Sequence, residues 1–290
     1  MTRATSTVMD VTLFLLLVGA GAAALVGGAT VEAPAAGNPA SERAELLATS
    51  TATVDYELVV PGPEPSWVGN ASARRQRTAH GTLTALLGEA AMSRVRVDGT
   101  RVSLAGRRFE QQVGATVERR LADRRYRTSV RVTWAPYPGA PVTGRFRLGP
   151  RPPASADVRA ATVTVASGLG NATSGARVAT RGGGYRGAAR AVARTVVDGL
   201  FPSDRARVAL QGDYPDDAVV ARRYRRVGRV AGVDSLDIED HSVATTNRML
   251  TVALTDLLTA DLRARFESPA AAAAAIDTET VHITVRTWSP

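Results

Sequence analysis

Cysteine is absent from the 290 residues, and so is lysine: all 36 basic residues are arginine. Without a thiol there is no disulfide, no thiolate nucleophile and no cysteine-ligated metal, so packing alone must hold the fold. Without lysine no phosphate-binding loop of the lysine type can follow the glycine run 182–184, whose spacing also does not fit dinucleotide binding. Histidine is scarce. His80, His241 and His282 lie far apart and lack metal-ligand spacing. Asp234, Asp237, Glu239 and Asp240 beside His241 lack the alternating acids and glycine of a calcium loop. They precede a helical pattern, where carboxylates suit the positive end of a helix dipole. No Gly-x-Ser-x-Gly elbow occurs. The expectation is therefore no catalysis, no metal and no cofactor. One route to chemistry stays open, since the carboxylate pairs of sugar hydrolysis assemble from distant positions.

What is present is apolar and cationic. The hydrophobic share is 44%, enough to exclude wholesale disorder, and the formal net charge is +9. Arginine richness beside abundant alanine, glycine and valine is the drift expected of a GC-rich genome, and the arginines are spread along the chain. They gather at 119–127 and again at Arg222, Arg223, Arg225, Arg226 and Arg229, the latter interleaved with Tyr224. Such a pattern suits a strand-tracking polyanion patch, although a solvated helix face accounts for the same spacing, and nucleic acid is not the expected partner.

Residues 11–31 are twenty-one consecutive uncharged residues beginning VTLFLLLV. As a helix this run is about 30 Å long, the thickness of a bilayer's hydrocarbon core. Arg3 and the α-amino group precede it and Glu32 follows, which predicts a cytosolic N-terminus and an exported bulk. It can serve as a retained anchor, or its first half can be the core of a cleaved signal with small-residue sites at 22–24 or at Ala29. Asp10 directly before the core favours the anchor. In a membrane helix Gly19, Gly21, Gly27 and Gly28 would allow close packing against copies or partners.

The opening residues Arg3 to Leu13, RATSTVMDVTL, resemble the start of haloarchaeal type IV pilins and pilin-like proteins. In that family a prepilin peptidase cuts after the small residue that follows the basic one. The resemblance implies processing at Arg3-Ala4, with the cut after Ala4 and the apolar helix kept. The remainder, including the closing TVRTWSP, is similar to a haloarchaeal family of membrane proteins associated with pilus-like assembly genes. That resemblance implies pilus-like assembly proteins as partners, or self-association through the membrane helix.

Beyond the anchor, 32–50 reads as a stalk ending in a helical turn, and 51–60 as a strand stopped by Pro61-Gly62-Pro63. The spacing of Leu83, Leu86, Leu87, Ala90 and Ala91 predicts a helix over 74–93. Asp98-Gly99 between alternating runs predicts a hairpin. Phe109, Val113, Val117 and Leu121 predict a helix; 130–134 and 157–167 read as strands. Residues 169–187 read as a glycine-rich linker, followed over 188–290 by a helix-rich region closed by a strand at 281–285. The expected fold is α+β: an N-terminal transmembrane helix, then an extracellular domain of mostly antiparallel sheet with covering helices, its α+β region at 51–168. Asn70 and Asn171 sit in Asn-x-Ser/Thr sequons on the exported side, as possible glycosylation sites. The function expected is that of a single-pass envelope protein, N-terminus cytosolic (1–10), structural or accessory in a pilus-like system. The rivals are a membrane-tethered polyanion-binding module and a secreted protein with an unrecognised hydrolytic site.

Overall fold

A computed structural model describes residues 30–31, 37–60, 73–123, 125–211, 216–233 and 242–290. Most of the expected membrane segment, with Arg3, Ala4, Gly19, Gly21, Gly27 and Gly28, lies outside these residues, as do Asn70 and the acidic group 234–241. Among the described residues no helix is long and apolar enough to cross a membrane. Thr30–Val31, the last two residues of the expected span, are strand β1 instead.

The fold is α+β with antiparallel pairing throughout. After β1 come α1 (Pro39–Thr49), the long ribbon β2 (Thr51–Val60) and β3 (Ala73–Thr82), α2 (Leu83–Ser93), and the short hairpin β4 (Arg96–Val97) and β5 (Thr100–Arg101). Then follow α3 (Arg107–Leu121), β6 (Arg127–Trp134), β7 (Val142–Leu148) and β8 (Arg159–Ala166). Helices α4 (Thr173–Leu200), α5 (Ser203–Leu210), α6 (Asp216–Val230), α7 (Val243–Arg265) and α8 (Pro269–Ala274) lead to the closing strand β9 (Thr280–Trp288). Among the described residues seven strands form one sheet in the order β1-β8-β9-β6-β7-β4-β5, while β2 and β3 pair with each other.

Sequence patterns explain much of this. Asp98 and Gly99 both take positive φ, +46° and +74°, the backbone that an Asp-Gly hairpin turn demands. Alternation puts Val130, Val132 and Trp134 of β6 and Val281, Ile283 and Val285 of β9 inward, all buried, with α1 and α2 packed over them. Three expectations need correction. The stalk at 32–50 contains a core helix: Asn38 accepts from the Ala40 amide at 3.0 Å, Pro39 starts α1, and Ala40, Ala44 and Leu47 are fully buried. The helix expected over 74–93 begins only at Leu83, because Ala73–Thr82 pairs residue for residue with β2, from Thr51↔Thr82 to Val60↔Ala73. Thr82 then caps α2 by accepting from the Ala85 amide.

The third correction concerns 169–187, which is helix from Thr173 onward rather than linker. At Gly184 the backbone turns to φ 54°, ψ −140°, and the two halves of α4 fold back on one another. A Cβ on Gly175 would sit 3.8 Å from that of Ala191, and a Cβ on Gly187 would collide with the Ala179 carbonyl. At Gly187 the two helices approach too closely for a side chain.

Nor is the C-terminal part a second serial region. β8 and β9 are sheet neighbours, so α4 to α8 form an insert between adjacent strands. Its two ends are clasped: the Ser167 amide donates to the Glu279 carbonyl at 2.6 Å, and the Ser167 hydroxyl donates to the Thr278 carbonyl at 2.7 Å. Inside the insert α7 presents Leu250, Leu254, Leu258 and Leu262, all buried, and packs mainly against α4.

Candidate functional site

Helix α6 carries the arginine cluster read in the sequence. One face is apolar: Ala221, Tyr224 and Val227 are buried. Tyr224 stacks on Phe201 at 4.2 Å between ring centroids, and its hydroxyl donates to Asn247 Oδ1 at 2.7 Å. Asn247 in turn donates to the Phe201 carbonyl at 2.9 Å, which fixes α6 against α7 and the start of α5. The interleaved aromatic is therefore a core anchor, not a stacking platform for a ligand.

The remaining face lines a cleft of about 500 Å³ between α6 and residues 102–108, which run from the β4–β5 hairpin into α3. Val102, Leu104, Ala105 and Val219 supply apolar surface. Around it stand Arg222, Arg223, Arg225, Arg226 and Arg229 from α6, with Arg107 and Arg108 from the first turn of α3. Among the described residues that line it there is no carboxylate. The structure thus brings all five arginines singled out in the sequence to one site and adds two that sequence reasoning missed. Their signal was there: Gly106-Arg107-Arg108 opens a helix with no capping side chain. Uncapped amides and two cations then share one helix end, where the dipole favours an anion.

The arginines are not equivalent. Arg223 turns inward and holds its guanidinium 5.0 Å from the Phe201 ring centroid. Burial is the main cause that pushes its pKa below the ordinary arginine range. The Nε atoms of Arg223 and Arg226 are buried without a hydrogen-bond partner. Such orphaned donors are costly unless something completes them. By contrast the nearby carboxylate of Glu110 is fully engaged. It accepts from Arg101 and from the Ser93 hydroxyl at 2.8 Å, and Arg94 stands 3.4 Å away.

Other candidates are spoken for or less shaped. Asn171 is exposed, but its Oδ1 accepts from the Thr173 amide at 2.8 Å and its Nδ2 donates to Glu279 at 2.5 Å, so it tethers the start of α4. Among the described residues no three His, Asp or Glu side chains converge on a metal-sized site. The sheet face away from α1 and α2 exposes Arg131, Arg145 and Arg147, with Arg131 directly opposite Arg147. These three arginines line a broad depression that the carboxylate of Asp277 and the His282 ring also line.

Over residues 9–288 the chain matches a family of unknown function, DUF7284. It belongs to that family. No curated protein and no solved structure matches it.

Proposed function

We propose that this chain is a single-pass, membrane-anchored envelope protein whose exported domain works by binding, not catalysis, and that the cleft between α6 and residues 102–108 is its working surface. An anionic ligand is the occupant. The observation that carries this reading is the convergence of seven arginines on one cleft, two of them, Arg223 and Arg226, with buried Nε donors left unmet. Anchoring rests on the apolar run 11–29 and on β1, which ties the chain to the sheet directly after it. The pilus-like setting, with assembly proteins as partners, rests on the resemblance of residues 3–13.

A short inorganic polyphosphate is a suitable probe, because it offers bare anionic charge without bases or sugars. The full chain in zwitterionic nanodiscs should bind it with a steep salt dependence. If four phosphates are neutralised, affinity should fall about 100-fold between roughly 50 and 200 mM salt, by analogy with counterion release from nucleic acids. Arg223→Gln with Arg226→Gln should weaken binding and flatten that slope. An affinity for polyphosphate that ignores both salt and these substitutions would remove the reading.

A further inference from the structure

The placement of the cleft says which kind of anion it meets. Thr30 pairs with Thr164 and Val31 with Val163, so the chain enters β1 at the end of the sheet where β8 leaves for the helical insert. On the opposite edge, Val97 pairs with Val142 at the start of β7, and the Asp98 amide donates to the Pro141 carbonyl at 2.9 Å. Trp134 closes β6 beside Gly144, and its indole donates to the Thr278 carbonyl where the insert returns. The entry of the apolar segment, the base of the insert and the β4–β5 hairpin therefore share one end of the sheet. Six strand spacings, about 29 Å, separate β1 from β5. A flat surface at that end can reach both the anchor and residues 102–108.

The lining is amphipathic as well as cationic. Leu104 is 41% exposed, and Val219 is half-buried beside the arginine row. A wholly hydrophilic polyanion would use the guanidinium groups and leave that apolar surface wet. A phosphate carrying an apolar body would use both. Arginine suits the task, since its aliphatic stem lies along apolar surface while its planar head makes paired bonds to phosphate oxygens.

We propose that the cleft takes the phosphate headgroup of an anionic membrane lipid, so that the domain lies with its insert end against the bilayer that anchors it. This rests on the binding function proposed above and adds the source of the anion. The Arg223 and Arg226 Nε donors complete their hydrogen bonds on the headgroup, and Leu104 enters the interfacial layer. Loss of Arg223 or Arg226 should weaken the contact about five-fold, the usual contribution of one basic residue at an anionic surface.

The chain has no cysteine, so a single introduced thiol reports one position. Leu104→Cys, carrying a fluorophore, is placed with the full chain in nanodiscs that contain a nitroxide-headgroup lipid. The bulk lipid is phosphatidylcholine alone or phosphatidylcholine with phosphatidylglycerol. Ala154→Cys, in the β7–β8 connection at the far end of the sheet, is the control. The expected result is quenching at position 104 only with phosphatidylglycerol, reversed by high salt and by Arg223→Gln with Arg226→Gln, and none at 154. Inorganic phosphate and polyphosphate are added to phosphatidylcholine discs as the soluble arms. Polyphosphate binding without lipid-dependent quenching overturns the lipid source and leaves anion binding standing. Neither binding nor quenching overturns both. Equal quenching at 104 and 154 overturns the proposed orientation.

Discussion

Glu110 accepts from Ser93 and Arg101 and faces Arg94, joining the end of α2, the β4–β5 hairpin and α3 at one buried carboxylate. Burial already pulls the Arg101 pKa down, and Glu110 opposes that pull. Glu110→Ala would leave Arg101 buried with no counter-charge, so about 3–5 kcal/mol of stability should be lost in denaturant titration. Tyr224 gives the molecule an alkaline limit. Burial pushes its pKa up to about 12, while the unfolded phenol titrates near 10. Stability is full below about pH 10, where both states hold the proton, and falls as pH rises towards 12, by at most about 1.4 kcal/mol per pH unit. Tyr137, likewise buried and facing Asp261, has its pKa pushed up as well and adds to the loss. Melting curves from pH 9 to 12 should show the decline, and Tyr224→Phe should make it shallower. Sequence spacing found all five α6 arginines and put Arg222, Arg225, Arg226 and Arg229 on one solvated side. It could not show that Arg223 turns back over Phe201, because that ring sits in a separate segment brought in by the Tyr224–Asn247 bond.

Among elements, those with a local cause were legible and those with a remote cause were not. Asp98-Gly99 fixes its own turn, Ser242 caps α7 through the Thr245 amide, and Ser268 caps α8 through the Ala271 amide; each is written in a few adjacent residues. β3 was misread because its partner β2 lies on the other side of residues 61–72, and only pairing overrides the helical spacing that begins at Leu83. β7 was not read at all. Its inward alternation is interrupted by Gly144, where a Cβ would sit 2.7 Å from the Ala91 carbonyl oxygen of α2. The glycines of α4 misled in a similar way: a turn at Gly184 and a close approach at Gly187 leave the same composition as a flexible connector. Two substitutions separate these readings. Gly187→Ala should cost about 1–3 kcal/mol, since its Cβ meets the Ala179 backbone. Gly182→Ala meets nothing and should gain up to about 1 kcal/mol of helix propensity. In a flexible connector both would be neutral, and thermal denaturation of the two variants decides.

At the scale of the whole molecule, the α+β class and the antiparallel sheet were readable from alternation, whereas the nesting of the helices between β8 and β9 was not. Nothing near residues 166 or 280 announces that the two strands are neighbours; the clasp of Ser167 on Thr278 joins positions 111 residues apart. The anchored reading makes a prediction at this scale. The mature protein should start near Thr5 and stay with the membrane fraction, as N-terminal mapping of membrane and medium fractions would show. A start at Thr30 in the medium would instead leave β1 intact on a secreted domain. If the apolar segment is kept, β1 also shapes how the molecule bears load. Among the described residues two, Thr30 and Val31, hold β1 to the sheet, whereas α1 is locked into the core a few positions later. Traction along the tether should thus strip β1 first. That releases a contour of roughly 25–30 Å of slack, at about 3.4 Å per residue, before any strain reaches the body of the domain.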